Sequence, residues 1–131
     1  NDGGDCHALK QRLRRLCNEA GHDDVIIRIA CQELEAWYFG EPASMARAFG
    51  DDKLTEIGNK SRYRDPDAIK GGTWEAFERI LKRAGYFKGG LRKIEAARDI
   101  AQYMTPKINR STSFQVFRSC LREMVLEGKN R

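Results

Sequence analysis

Val25-Ile26-Ile27-Arg28-Ile29-Ala30-Cys31-Gln32-Glu33-Leu34-Glu35-Ala36-Trp37-Tyr38-Phe39, read VIIRIACQELEAWYF, decides how the rest of this 131-residue chain is read. Val25–Ala30 is an apolar run broken only by Arg28 and rich in β-branched side chains, the composition of a buried strand. Glu33 and Glu35 follow at its end, and Trp37, Tyr38 and Phe39 come directly after. In an open α/β sheet, ligands lie just outside the carboxyl ends of the strands. The two carboxylates are therefore either a metal or acid/base site, or acids at the solvated start of a helix.

Upstream, Asp5 is placed to cap a helix carrying Leu9, Leu13, Leu16 and Cys17 at helical spacing, with Lys10, Arg12, Arg14 and Arg15 on its other faces. Gly21 ends it. Loop, helix, glycine and apolar strand make most of a right-handed βαβ unit whose first strand lies before Asn1. A single parallel strand cannot satisfy its backbone groups, so its neighbours are expected upstream or on another molecule. The absent initiator methionine and the turn-like NDGGD opening fit a trimmed chain. The fold expected is α/β and mainly helical: one domain over residues 1–131, with a small parallel sheet in a Rossmann-like remnant at 1–40 and helices over 41–131.

Downstream, Glu33–Phe39 begins a helix that Gly40 and Pro42 break, and Pro42 opens the next, with Met45, Ala46 and Phe49 as its stripe. Gly50–Gly72 is polar and weakly periodic, with NKSRYR (Asn59–Arg64) as a basic loop. Thr73 caps a helix with Trp74, Phe77, Ile80 and Leu81 on its core face, closed by Gly85. A further helix carries Ile94, Ala97, Ile100, Ala101 and Met104 and stops at Pro106. Ser111-Thr112-Ser113 caps the last, striped by Phe114, Phe117, Cys120, Leu121, Met124 and Val125.

Charge is unevenly spread. Residues 1–59 carry 7 Lys/Arg against 11 Asp/Glu, a net of −4, and residues 60–131 carry 17 against 8, a net of +9. Such an excess suits a phosphate-bearing partner, or is an ordinary basic surface balanced by the acidic half. Lys60, Arg62, Arg64 and Arg92 are the candidate contacts, and Tyr63, between two arginines, is placed to stack on a base. Lys88, Arg92 and Lys93 beside Gly89-Gly90 suit an anion, or simply a solvated connection between helices. The four cysteines show neither CxxC pairing nor zinc-ligand spacing. They read as reduced thiols of a cytoplasmic protein. No apolar run approaches the roughly 20 residues of a membrane helix, and the acidic, glycine-rich N-terminus is unlike a secretory leader.

The turn NDGGDC, the stretch ACQELEAWYFG, the segment YFKGG followed by RKIEAA, and STSFQVF together resemble the Toprim-like domains of overcoming-lysogenization-defect (OLD) nucleases. They are most similar to a bacterial Toprim-related family often encoded beside ATPases. Gln32–Phe39 is the most specific part. The resemblance implies magnesium-dependent phosphodiester chemistry, a DNA substrate and an ATPase partner. By position it makes Asp2 and Glu35 metal ligands, with Glu33 in support. It makes Glu35 with Lys88 or Lys93 the catalytic set, the lysine stabilising developing charge. The first Asp of the family's DxD pair and its leading glutamate would precede Asn1, so only part of the magnesium site is expected within this chain. The competing reading is a non-catalytic nucleic-acid-binding or protein-interaction module. A third makes the strand edge, with Trp37 and Tyr38, a homodimer contact.

Overall fold

The computed structural model describes residues 5–29 and 32–129, and among these every regular element is helical. The helices are α1 (Cys6–Glu19), α2 (Ala36–Phe39), α3 (Pro42–Phe49), α4 (Thr73–Arg83), α5 (Lys93–Ala101) and α6 (Thr112–Lys129). Three 3₁₀ segments, Asp52–Asn59, Ser61–Tyr63 and Pro66–Ala68, bridge α3 to α4.

The expected α/β fold is therefore corrected. The described part of the strand candidate, Val25–Ile29, has no ladder partner, and no small parallel sheet forms among the described residues. The physical reason is local. Its backbone is held from the side instead, Arg14 donating to the Val25 carbonyl at 2.7 Å and Arg28 to the Ile27 carbonyl at 3.0 Å. Ile27 is buried, but Ile26 and Arg28 are exposed, so the run is covered on one side only.

Helix boundaries follow the local chemistry closely. The Asp5 carboxylate accepts from the His7 N–H at 2.9 Å, and Gly21 leaves α1 at φ +81°. Pro42 starts α3, and Gly50 ends it in the left-handed conformation. The polar stretch after it tightens into 3₁₀ turns because Leu54, Ile57, Tyr63 and Ile69 recur often enough to be drawn into the core.

That core gathers around α2 and α3. Tyr38 meets Phe77 of α4 with ring centroids 5.3 Å apart, and Phe39 stacks on Tyr63 at 5.2 Å. Met45, Leu81 and Ile100 are fully enclosed beside them. Trp37 turns the other way, to α6. It stacks on Phe117 at 5.4 Å, meets Phe114 edge-on at 5.1 Å, and donates its indole N–H to Ser113 Oγ at 3.1 Å. Trp37 and Tyr38 thus face partners within the chain.

Two expected stripes are displaced. On α5, Ala96 and Ile100 are buried while Ile94 is 79% exposed. On α6, Phe114, Phe117 and Cys120 are covered, whereas Leu121, Met124 and Val125 face solvent.

Gly40 is where the two sides of the molecule meet. Its carbonyl accepts from Arg110 N–H at 2.9 Å, and a β-carbon there would lie 2.0 Å from Asn109 Oδ1. Asn109 cannot retreat, because it donates to the Trp37 carbonyl and accepts from Ser111 N–H. Gly40→Ala is expected to cost at least about 2 kcal/mol by overpacking. Gly89→Ala, with open space and an ordinary φ, is expected to stay within about 0.5 kcal/mol. Urea denaturation midpoints of the two variants check the contrast.

Candidate functional site

Glu33 and Glu35 sit two residues apart and point to different elements. The Glu33 Oε2 atom accepts from Thr73 N–H at 3.1 Å, Thr73 Oγ1–H at 3.0 Å and Trp74 N–H at 3.0 Å. These are first-turn donors of α4, which no intrahelical carbonyl can reach. Glu33 is thus a cap delivered from forty residues away, and Thr73, expected to cap α4, is its first helical residue instead. The Glu35 carboxylate is 6% exposed, and its Oε1 lies 3.4 Å from Lys93 Nζ. Lys93 opens α5, a cation at the positive end of a helix, and Glu35 offsets that charge. The Lys93 ammonium also lies 4.7 Å from the centre of the Trp74 ring.

Burial pushes the neighbouring Tyr38 hydroxyl up to about 12, with the Glu35 charge adding to the effect. Tyr38 therefore stays a neutral phenol at physiological pH. It is a core residue beside an anion.

Magnesium needs several oxygen ligands converging on one point. Glu33 is committed to α4 and Glu35 faces a cation. Among the described residues no three His, Cys, Asp or Glu side chains are grouped to hold a metal. These residues do not fit a magnesium centre. Asp2, the third expected ligand, lies outside the described residues.

The glycine loop before α5 is pinned rather than loose. Leu91 N–H donates to Glu78 Oε1 at 3.0 Å, and the Phe87 ring meets Phe49 edge-on at 5.9 Å. Arg92 lies over Phe87 and pairs with Glu95 at 2.9 Å. Lys88 is exposed, and it is not brought together with Lys93 and Glu35 by any bond or ring contact described here. Hydrogen bonding to Leu91 N–H and then to Lys82 holds the Glu78 carboxyl below the usual range.

The basic connector behaves differently from its acids. Lys60, Arg62, Arg64 and Lys70 are all exposed. Tyr63, expected as a base-stacking platform, is 5% exposed and stacked on Phe39, so its ring is spent on the core. The Arg62 guanidinium lies 5.3 Å from the centre of that ring. Asp67 turns inward. Its carboxylate accepts from Ser111 Oγ at 2.9 Å, Thr112 N–H at 2.6 Å, and Ser113 N–H and Oγ at 3.3 and 2.8 Å. An open depression of about 350 Å³ is lined by Ser61, Arg62, Asp65, Ala68 and Lys70. Ala68 and Lys70 also edge a second depression, of about 770 Å³, reaching Gln32, Glu33 and Glu75.

Sequence reasoning missed Asp67 as the cap of α6 and Glu41 and Glu78 as acceptors for loop backbone. Their partners lie 13 to 64 positions away, and only the proximity of Ser111-Thr112-Ser113 to an N-terminal signature hinted at any of them. Glu41 accepts from Thr105 N–H through both oxygens, at 2.9 and 2.8 Å. Its carboxyl is pushed above the usual range, chiefly by burial, with the Thr105 bonds and Arg47 opposing.

The fold and this geometry define a small helical domain in which Glu33, Glu35, Glu41, Asp67 and Glu78 meet partners within the chain and the connector's cations stay exposed. The chain belongs to the family described as Domain of unknown function (DUF4276), whose model matches residues 4–122. That match carries no link to Toprim-like or OLD nucleases. No curated protein and no solved structure matches the chain significantly.

Two outcomes follow from the caps. Glu33→Ala is expected to lower unfolding stability by about 1–2 kcal/mol, with Glu33→Gln keeping an acceptor and losing less; denaturant unfolding compares them. For Glu41, a raised native pKa means its contribution is fully present below the ordinary glutamate value and lost as pH rises through the raised one. Glu41→Gln cannot ionise, so its melting temperature is expected to gain on that of the native chain as pH rises above the ordinary glutamate value of about 4.3.

Proposed function

We propose that this chain is a non-catalytic nucleic-acid-binding module that holds the phosphate backbone of DNA through its basic connector. The observation that carries the reading is the sorting of charge between residues 60 and 72. Lys60, Arg62, Arg64 and Lys70 stand exposed, while Asp67 is folded against the start of α6 and Asp65 is the one acid left exposed among them. Sorting of this kind makes the surface more positive than the formal charge of the segment suggests, because a carboxylate taking four donors projects little field outward.

The connector is also well anchored for the purpose. Tyr63 and Pro66 are buried, so Arg62 and Arg64 beside them leave an anchored backbone and less chain entropy is lost on binding. With the Tyr63 ring buried, binding rests on phosphate contacts and carries little base preference. Magnesium-dependent cleavage draws no support from the acids expected to perform it, since Glu33 caps α4 and Glu35 faces Lys93. A cytoplasmic location accompanies this reading. Among the described residues no helix is long and apolar enough to cross a membrane.

The test is the salt dependence of duplex DNA binding, followed by fluorescence anisotropy without divalent metal. The native chain is expected to bind at low salt, with log K falling linearly against log salt. Lys60→Ala/Arg62→Ala/Arg64→Ala together are expected to reduce the slope by about three. Failure of the native chain to bind at 50 mM salt, or an unchanged slope in the triple variant, would sink the reading.

A further inference from the structure

Helix α1 has no fully buried residue: Lys10, Leu13, Arg14 and Cys17 are half-buried and its other residues are exposed. At 3.6 residues per turn, His7, Lys10, Gln11, Arg14, Arg15 and Asn18 fall within an arc of about 140°. They line one shallow depression of about 420 Å³. No carboxylate falls in that arc. Asp5 lies before the helix, where it caps His7 N–H, and Glu19 falls beside the arc at the far end. Arg14, within that arc, donates to the Val25 carbonyl at 2.7 Å, so its guanidinium is committed to the 25–29 segment, and Lys10 and Arg15 are the cations left to this face.

We infer that this polar face of α1 is a second DNA contact, laid along a groove of the duplex. The inference rests on the proposed nucleic-acid binding but uses residues outside the basic connector. Its support is charge complementarity: a face of cations and amides, without an acid, meets a surface of phosphates and base edges. Lysine and arginine suit phosphates and guanine, and glutamine and asparagine suit adenine. Fourteen residues span about 21 Å, enough to lie within a major groove about 12 Å wide. The deep, narrow major groove of A-form RNA would not admit such a helix. A membrane surface is the poorer partner, because the opposite face carries Leu9, Leu13 and Leu16 with Arg12 among them, without the tryptophan or phenylalanine of interfacial helices.

The experiment compares Lys10→Ala/Arg15→Ala with the native chain on a 20-base-pair DNA duplex, across a salt series, with helicity checked by circular dichroism. Arg14 is left in place because it secures the helix. The double variant is expected to bind roughly tenfold more weakly at 0.1 M salt, with the salt slope reduced by about two. Lys10→Arg/Arg15→Lys is expected to restore both. An unchanged slope in the folded double variant overturns this contact, as does tighter binding to double-stranded RNA or to phosphatidylserine vesicles than to DNA. If the connector variant loses slope and the α1 variant does not, this inference alone fails. If the native chain does not bind at all, both readings fail together.

Discussion

A helix cannot satisfy the N–H groups of its own first turn, and this fold depends on how those groups find partners. Carboxylates distant in sequence supply them. Glu33 serves α4 and Asp67 serves α6. Glu78 and Glu41 serve the backbone at Leu91 and Thr105, on either side of α5. Each bond is charge-assisted, roughly twice as strong as a neutral one. Each also ties two segments that share little regular structure. In a chain built from helices of 4 to 18 residues, such ties set the angles between elements as much as apolar packing does.

The nine residues from Glu33 to Glu41 concentrate these ties. Glu33 reaches α4, Glu35 reaches α5, Trp37 reaches α6, Tyr38 and Phe39 fill the core, and Glu41 reaches the loop after α5. Gly40 lets Asn109 and Arg110 approach without a side chain between them. A stretch so short can act as a hub because a single helical turn sends successive side chains about 100° apart. The acidic residues here are therefore structural in a specific sense: their charge is used up within the fold.

The surface follows from that arrangement. Where Asp67 turns inward and Lys60, Arg62, Arg64 and Lys70 do not, the connector presents more positive than negative charge to solvent. The buried Tyr63 ring and the paired Glu35 carboxylate leave phosphate attraction as the dominant chemistry available to the connector.

Much of the local structure was legible in the residues alone. Asp5 and Gly21 bound α1, Pro42 and Gly50 bound α3, and Gly85 follows the end of α4, because capping and backbone conformation are decided within a few residues, whereas α5 ends at Ala101, ahead of the expected stop at Pro106. The basic excess after residue 60 was equally plain, since charge is simply counted. Val25–Ile29 was misread because strand composition reports burial and stiffness, while a strand exists only when a neighbour completes its ladder. The surroundings of Glu33 and Glu35 depend on tertiary structure in the same way. A carboxylate's role depends on which donor lies 3 Å away, and Thr73, Trp74 and Lys93 come within reach only through tertiary packing. What the sequence determined by itself was where helices start and stop and where charge accumulates, both local properties. Only the tertiary structure decided which acids are spent inside, which ring is buried, and which cations remain for a partner.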